Sequence, residues 1–155
     1  MTAESRASRL LRLRFNTFPA YRRTGGRVRY VAADFREVRV ELPLTWRTKN
    51  VFGTHFGGSM YGAVDPVFAI MLMRLLGPGY AAWDKSVAIR FLKPGRSTLY
   101  GRFRLPEGEV DEIRAALAHD RSVDRVYEVQ LVDRSGVPHA RFEKTVSVRR
   151  VDASA

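Results

Sequence analysis

The sequence predicts an α+β fold in which a curved antiparallel sheet wraps one buried helix. Two observations carry that expectation. From Ala63 to Met73 every residue except Asp65 is apolar or proline, so a helix here has no polar face to offer water and needs cover on all sides. Around it lie runs that alternate apolar and polar residues, the pattern of strands with one face in the core and one in solvent.

Taken in order, the first element is a helix over about 5–18, with Leu11, Phe15 and Phe18 at i, i+4 and i+7 and Arg6, Arg9, Arg12 and Arg14 elsewhere around it. Pro19 ends it. Such a basic amphipathic helix can lie on a membrane surface, but packing its stripe on its own domain is the expected arrangement. Gly25-Gly26 is a turn, and strands follow. Val38, Val40, Leu42 and Leu44 alternate with Arg39, Glu41 and Pro43. The irregular segment 45–58 leads to the apolar helix, which stops at Gly77-Pro78-Gly79. Val87, Ile89 and Phe91, closed by Pro94-Gly95, and Leu99, Gly101, Phe103 and Leu105, closed by Pro106, read as an antiparallel hairpin. Residues 107–119 read as a short helix, with acids at its start and Val110, Ile113 and Leu117 on one face. Tyr127, Val129 and Leu131 turn at 133–136 into Ala140, Phe142, Val146 and Val148. Residues 151–155 are a tail. One sheet of this size leaves a flank of the buried helix open, so a second copy packing against it is expected.

At 155 residues the chain is expected to form one domain, residues 1–155. It has no cysteine, which excludes disulfides, thiolate metal sites and a cysteine nucleophile. His55, His119 and His139 have no metal-ligand spacing, so no metal is expected. No run is read as long enough to span a membrane, and the arginine-rich start does not resemble a signal peptide, so a cytoplasmic protein is expected. The net charge of +11 comes from 23 Arg and four Lys against 16 acids. A surface of that charge attracts anions: nucleotide phosphates, acidic carrier proteins or nucleic acid.

The stretch that carries chemistry is 50–76. A loop with Gly53, Gly57 and Gly58 enters the apolar segment in which Asp65 stands alone. An unpaired buried carboxylate is costly or has a raised pKa, so a use is expected for it: general base, nucleophile or helix cap. Two readings of Asp65 are open. In one it is the N-cap of a helix Pro66–Leu76, with proline at the first helical position. In the other the helix begins near Gly58 and Pro66 kinks it by removing the bond to the Gly62 carbonyl. The glycines at a helix start leave backbone N–H groups free to approach a ligand.

This order and central segment resemble the hot-dog fold, and most closely the acyl-CoA thioesterases of the phenylacetate-pathway kind. The chain is also similar to a bacterial branch of that superfamily carried as a domain of unknown function. Those enzymes show an Asn, then His-Gly-Gly, then an Asp seven residues after the second Gly; Asn50, Gly57-Gly58 and Asp65 keep those spacings. Ser86–Gly95 resembles the family's strand with its serine and closing proline. One position departs: the family's histidine falls on Phe56, while His55 lies one residue earlier.

The resemblance implies an acyl-CoA hydrolase, homodimeric or tetrameric, whose sites combine residues of two subunits. It implies that Asp65 activates water or attacks the carbonyl, that the Gly57 N–H holds the oxyanion and that Asn50 places substrate or water. Gly58, His55 and Ser86 are candidate substrate contacts. Coenzyme A enters only as part of the substrate, its phosphates held by basic side chains, and no other cofactor is implied. On composition alone Asn50 is a turn residue, His55 a loop residue bonded to backbone, and Gly57 and Gly58 loop glycines. The competing function is a non-catalytic binding protein for acyl ligands or an anionic partner. Nucleic acid is not expected, since the basic residues alternate with apolar ones along strands and no stacking platform is visible. A hot-dog dehydratase ranks third: His55-Phe56-Gly57-Gly58 partly echoes its helix approach, but its acid position falls on Ala69.

Overall fold

The computed structural model describes residues 3–151. Its helices are α1 (Arg6–Thr17), α2 (Pro19–Thr24), α3 (Gly57–Val64), α4 (Val67–Leu76) and α5 (Glu109–Ala116). Its strands are β1 (Arg27–Val31), β2 (Glu37–Leu42), β3 (Tyr80–Phe91), β4 (Leu99–Arg104), β5 (Ser122–Val132) and β6 (Pro138–Arg150). All pairings are antiparallel, in the order β1-β2-β4-β5-β6-β3. The sheet wraps α3 and α4 as the apolar segment required: Val64, Val67, Phe68 and Leu72 pack with Phe103, Leu131 and Phe142 in one core.

The first helix begins at Ser5, whose Oγ accepts from the Ser8 N–H at 3.1 Å. Phe15 is buried and Leu11 half-buried, but Phe18 leaves the stripe and is 62% exposed. The reason is the following proline, which holds Phe18 extended (φ −63°, ψ 121°) and so outside the helix. Pro19 ends α1 as expected and also opens α2, one short helix more than the pattern indicated. Gly25 closes α2 with φ 87°, a left-handed conformation that suits glycine.

The expected hairpin of β3 and β4 is not formed. β3 lies at the sheet edge and pairs only with β6, while β4 lies between β2 and β5. Alternation identifies both strands but not their neighbours; β5 and β6 lie between them in the sheet. The β5–β6 hairpin forms as read, its turn held by Asp133 Oδ1, which accepts from the N–H groups of Ser135 (2.9 Å) and Val137 (3.0 Å).

The reading that no run reaches membrane-spanning length is also corrected. Taken together, Gly57–Leu76 is 20 residues of sufficient apolarity by length and composition alone. Most of it is covered by the sheet, and the break at Asp65-Pro66 divides it. The expected tail lies, beyond Val151, outside the described residues.

Candidate active site

The break between α3 and α4 decides between the two readings of Asp65. Asp65 has helical dihedrals (φ −51°, ψ −61°) and its N–H donates to the Tyr61 carbonyl at 2.9 Å, so it ends α3. Pro66 (φ −88°, ψ −1°) precedes α4, and no side chain caps that helix. Asp65 is therefore not an N-cap. A proline here removes a donor and leaves carbonyls unpaired at the kink. Side chains from distant elements fill the gap. The Tyr21 hydroxyl donates to the Ala63 carbonyl at 2.9 Å, and the Lys144 ammonium donates to the carbonyls of Val64 (3.1 Å) and Asp65.

Lys144 was not among the residues singled out by motif. It lies on β6, is fully buried, and forms an ion pair with Asp84 of β3 at 2.6 Å. Asp84 is turned inward by a bulge in β3 between Asp84 and Ser86. Burial pushes the Asp84 carboxyl up against the pull of Lys144, and the nearby Asp65 carboxyl pushes the same way. Burial likewise pulls the Lys144 ammonium down, opposed by Asp84 and Asp65. Tyr61, one turn before Asp65, has its hydroxyl pushed up by burial and then by Asp65. Two carboxyls, an ammonium and a phenol thus meet at the kink. A sequence signal for Lys144 exists: it occupies the inward position between Phe142 and Val146 in the alternation of β6. Asp84 has none, because the bulge that aims it is a property of the sheet.

Asp65 opens onto an apolar cavity of about 410 Å³ between the N-terminal helices and the kink, lined by Phe15, Phe18, Tyr21, Pro66 and Ile70 with Arg14 at its side. Asn50, His55 and Gly57 line a different cavity of about 400 Å³, with Met60, Phe91 and Pro94. The structure therefore gathers Asn50, His55 and Gly57 together and sets Asp65 apart. Asp65 follows Gly57 by eight positions along the helix, about 12 Å at ~1.5 Å per residue.

At the first cluster, Met60 N–H makes the first helical bond, to the Phe56 carbonyl at 3.1 Å. The N–H groups of Gly57 and Gly58 precede it and have no partner within the helix. A Cβ on Gly57 would stand 2.9 Å from the Phe91 ring, and one on Gly58 would stand 2.5 Å from the Phe56 ring.

Asn50 organises its own loop. Its Oδ1 accepts from the N–H groups of Phe52 (3.0 Å) and Thr54 (3.1 Å), and its Nδ2 donates to Thr54 Oγ1 (2.9 Å) and the His55 carbonyl (3.3 Å). An amide has little more to give. His55 is buried, with Nε2 2.8 Å from the Ser97 carbonyl and its N–H donating to the Gly95 carbonyl at 2.9 Å. Burial pulls its pKa down, so it is a neutral pin between two loops. Ser86 is exposed beside the bulge and lines neither cavity; the inward position belongs to Asp84.

A third cavity, about 530 Å³, lies on the other side of the 43–56 loop and is lined by Arg22, Arg27, Arg29, Arg47 and Trp46. Of these arginines only Arg29 is in an ion pair among the described residues, with Glu41 at 2.8 Å. Trp46 is 79% exposed, with the Arg47 guanidinium over its ring.

Solved structures share this architecture. A Pseudomonas aeruginosa protein of unknown function, described as a "probable thioesterase", superposes with a TM-score of 0.85 at 16% identity over 97% of this chain and 100% of its own. A Haemophilus influenzae thioesterase gives 0.68 at 14% identity, covering 100% of this chain and 96% of its own. The Escherichia coli PaaI protein of the phenylacetic acid degradation operon gives 0.59 at 17%, covering 90% and 89%. The molecule is a hot-dog protein. No curated protein matches it in sequence. A family model does, over residues 7–148, and the chain belongs to that family, the Domain of unknown function (DUF4442).

Proposed function

We propose that the protein hydrolyses acyl-CoA or a related acyl thioester, with each site built from two copies of the chain. The observation that carries the reading is Asp65 itself. This carboxylate caps no helix, yet it stands at a proline break in a buried helix and faces an apolar cavity. Within one chain Asp65 lies about 12 Å along the helix from the Gly57 N–H, too far for both to act on one carbonyl. A second copy packed against the helix would bring the Asp65 of one beside the Gly57 of the other. Val51 (95% exposed), Phe52 (80%) and Phe91 (59%) leave apolar surface near the Gly57 end that such a copy would cover.

In this reading Asp65 takes a proton from water as the water oxygen attacks the thioester carbon. The charge that develops on the carbonyl oxygen is met by the free N–H of Gly57. The C–S bond then breaks, and the thiolate leaves with the proton Asp65 had taken. The apolar cavity takes the acyl group, and Arg22, Arg27 and Arg47 supply positive charge for the phosphates of coenzyme A.

Purified protein is assayed against short, long and aromatic acyl-CoAs, with Asp65→Asn as control. The expected result is turnover that falls ~10²-fold or more in the variant while the fold is kept. Binding of an acyl-CoA without turnover assigns the chain to the non-catalytic reading. A monomer in sedimentation that retains full turnover refutes the shared site.

A further inference from the structure

We propose that the outer face of α1, with Phe18 at its end, docks the protein on the surface of an anionic phospholipid bilayer. Docking there needs no role for Asp65. The helix carries two apolar surfaces. Leu11 and Phe15 turn inward and pack on the core, as their i, i+4 spacing requires. Leu10 and Leu13 lie on the outer side and are 47% and 58% exposed, and Phe18, just past the helix, is exposed as well. Arg6, Arg9 and Arg14 are exposed too, and each stands four residues from one of those two leucines, on the same face of the helix.

This face is fixed outward. Glu4, just before α1, accepts from the Val31 N–H at 3.0 Å and pairs with Arg12 at 2.9 Å. Near the other end, Asn16 bonds both the N–H and the carbonyl of Val28 at 2.8 Å. Both ends of the helix are thereby tied to β1, the edge strand of the sheet. Turning α1 to bury Leu10 and Leu13 would break these bonds and pull Phe15 out of the core. Leucines held outward in this way offer their area to something outside the domain.

Charge selects the occupant. Residues 5–33 hold eight arginines and no acid. Of the arginines on α1, Arg12 alone is in an ion pair among the described residues. A second copy seated symmetrically on this face would set arginine against arginine. A nucleic acid would meet the arginines with phosphate but give the leucines nothing apolar to pack on. An anionic bilayer answers both features: the guanidinium groups bind headgroup phosphates, while leucine and phenylalanine side chains enter the acyl boundary beneath them. Leu11 and Phe15 stay in the domain, so the contact is shallow and reversible. Arg14 and Phe18 also line the apolar cavity onto which Asp65 opens, so a bound bilayer would lie beside that cavity.

Sedimentation of the full chain with vesicles tests the assignment. At low salt the protein should bind vesicles of phosphatidylcholine mixed with phosphatidylglycerol, and bind far more weakly to phosphatidylcholine alone or to the mixed vesicles at high salt. Leu10→Ser with Leu13→Ser keeps every charge and should weaken binding to the mixed vesicles at least about tenfold, with Tm little changed because both side chains are exposed. Arg6→Gln with Arg9→Gln keeps the apolar contact and should weaken it by about fivefold for each arginine removed. Failure to bind the mixed vesicles overturns the proposal. So does binding that Leu10→Ser with Leu13→Ser leaves unchanged, since a chain of net charge +11 then adheres by charge alone. Binding of acyl carrier protein at the same low salt, lost in the leucine variant while vesicles stay unbound, also overturns it and gives the face to a protein. None of these readouts uses turnover, so failure of the thioesterase reading and failure of the docking surface are separate results.

Discussion

Lys144→Met should be among the most destabilising single substitutions available in this chain. Methionine keeps most of the buried stem, so almost no cavity forms, and the change isolates the ammonium. Three acceptors lose their donor: Asp84 Oδ2 and the carbonyls of Val64 and Asp65. Breaking a buried ion pair by deleting one partner costs roughly 3–5 kcal/mol, since the other charge is stranded. Two buried carbonyls add about 1–3 kcal/mol each where water cannot reach them. Asp84 escapes part of this by protonating, so a net loss of about 4–6 kcal/mol at neutral pH is expected. Against a total stability of roughly 5–15 kcal/mol, that is a large share. Urea unfolding at fixed protein concentration, followed by far-UV circular dichroism, gives the value. The deficit should shrink as pH falls and Asp84 takes up its proton. Lys144→Met combined with Asp84→Leu, which leaves no stranded carboxylate, should recover at least about 2 kcal/mol relative to Lys144→Met alone. A Lys144→Met loss under about 1 kcal/mol, with the double variant merely additive, would refute the argument that the ammonium holds the kink.

Two further outcomes are expected. Gly57→Ala places a Cβ 2.9 Å from the exposed Phe91 ring, which can yield; if the Gly57 N–H holds the oxyanion, turnover should fall well beyond any loss of affinity for free coenzyme A, whereas equal small losses in both and in Tm would leave Gly57 a structural residue. Buried Glu109 is held below the ordinary carboxylate range: burial alone would raise it, but Arg125 (2.8 and 2.7 Å) and the Tyr127 hydroxyl outweigh that. Its contribution is present above the unfolded value of 4.5 and lost as pH falls through the lower folded value, so Arg125→Met should cost stability at pH 7 and much less near pH 3 in matched urea titrations.

What the sequence determined by itself is everything that depends on neighbours along the chain. The apolarity of 63–73, broken only by Asp65, requires a sheathed helix, alternation locates β2 and β6, and Pro19 and Gly25 punctuate the start. Tertiary structure decided whatever depends on partners far away in sequence. It placed β3 at the edge beside β6 rather than in a hairpin with β4, because alternation gives a strand its two faces but not its neighbours. Asn50 turned inward on its own loop because acceptors and donors two to five residues on saturate its amide. Lys144 stood in plain view as a lysine on the inward face of β6, but what it serves became visible only when the sheet brought it 79 residues back along the chain to Asp65. Asp84 was hidden altogether, since a bulge exists only between paired strands. A lone carboxylate in an apolar run announces that compensation is needed, and only the folded chain can say which distant charge provides it.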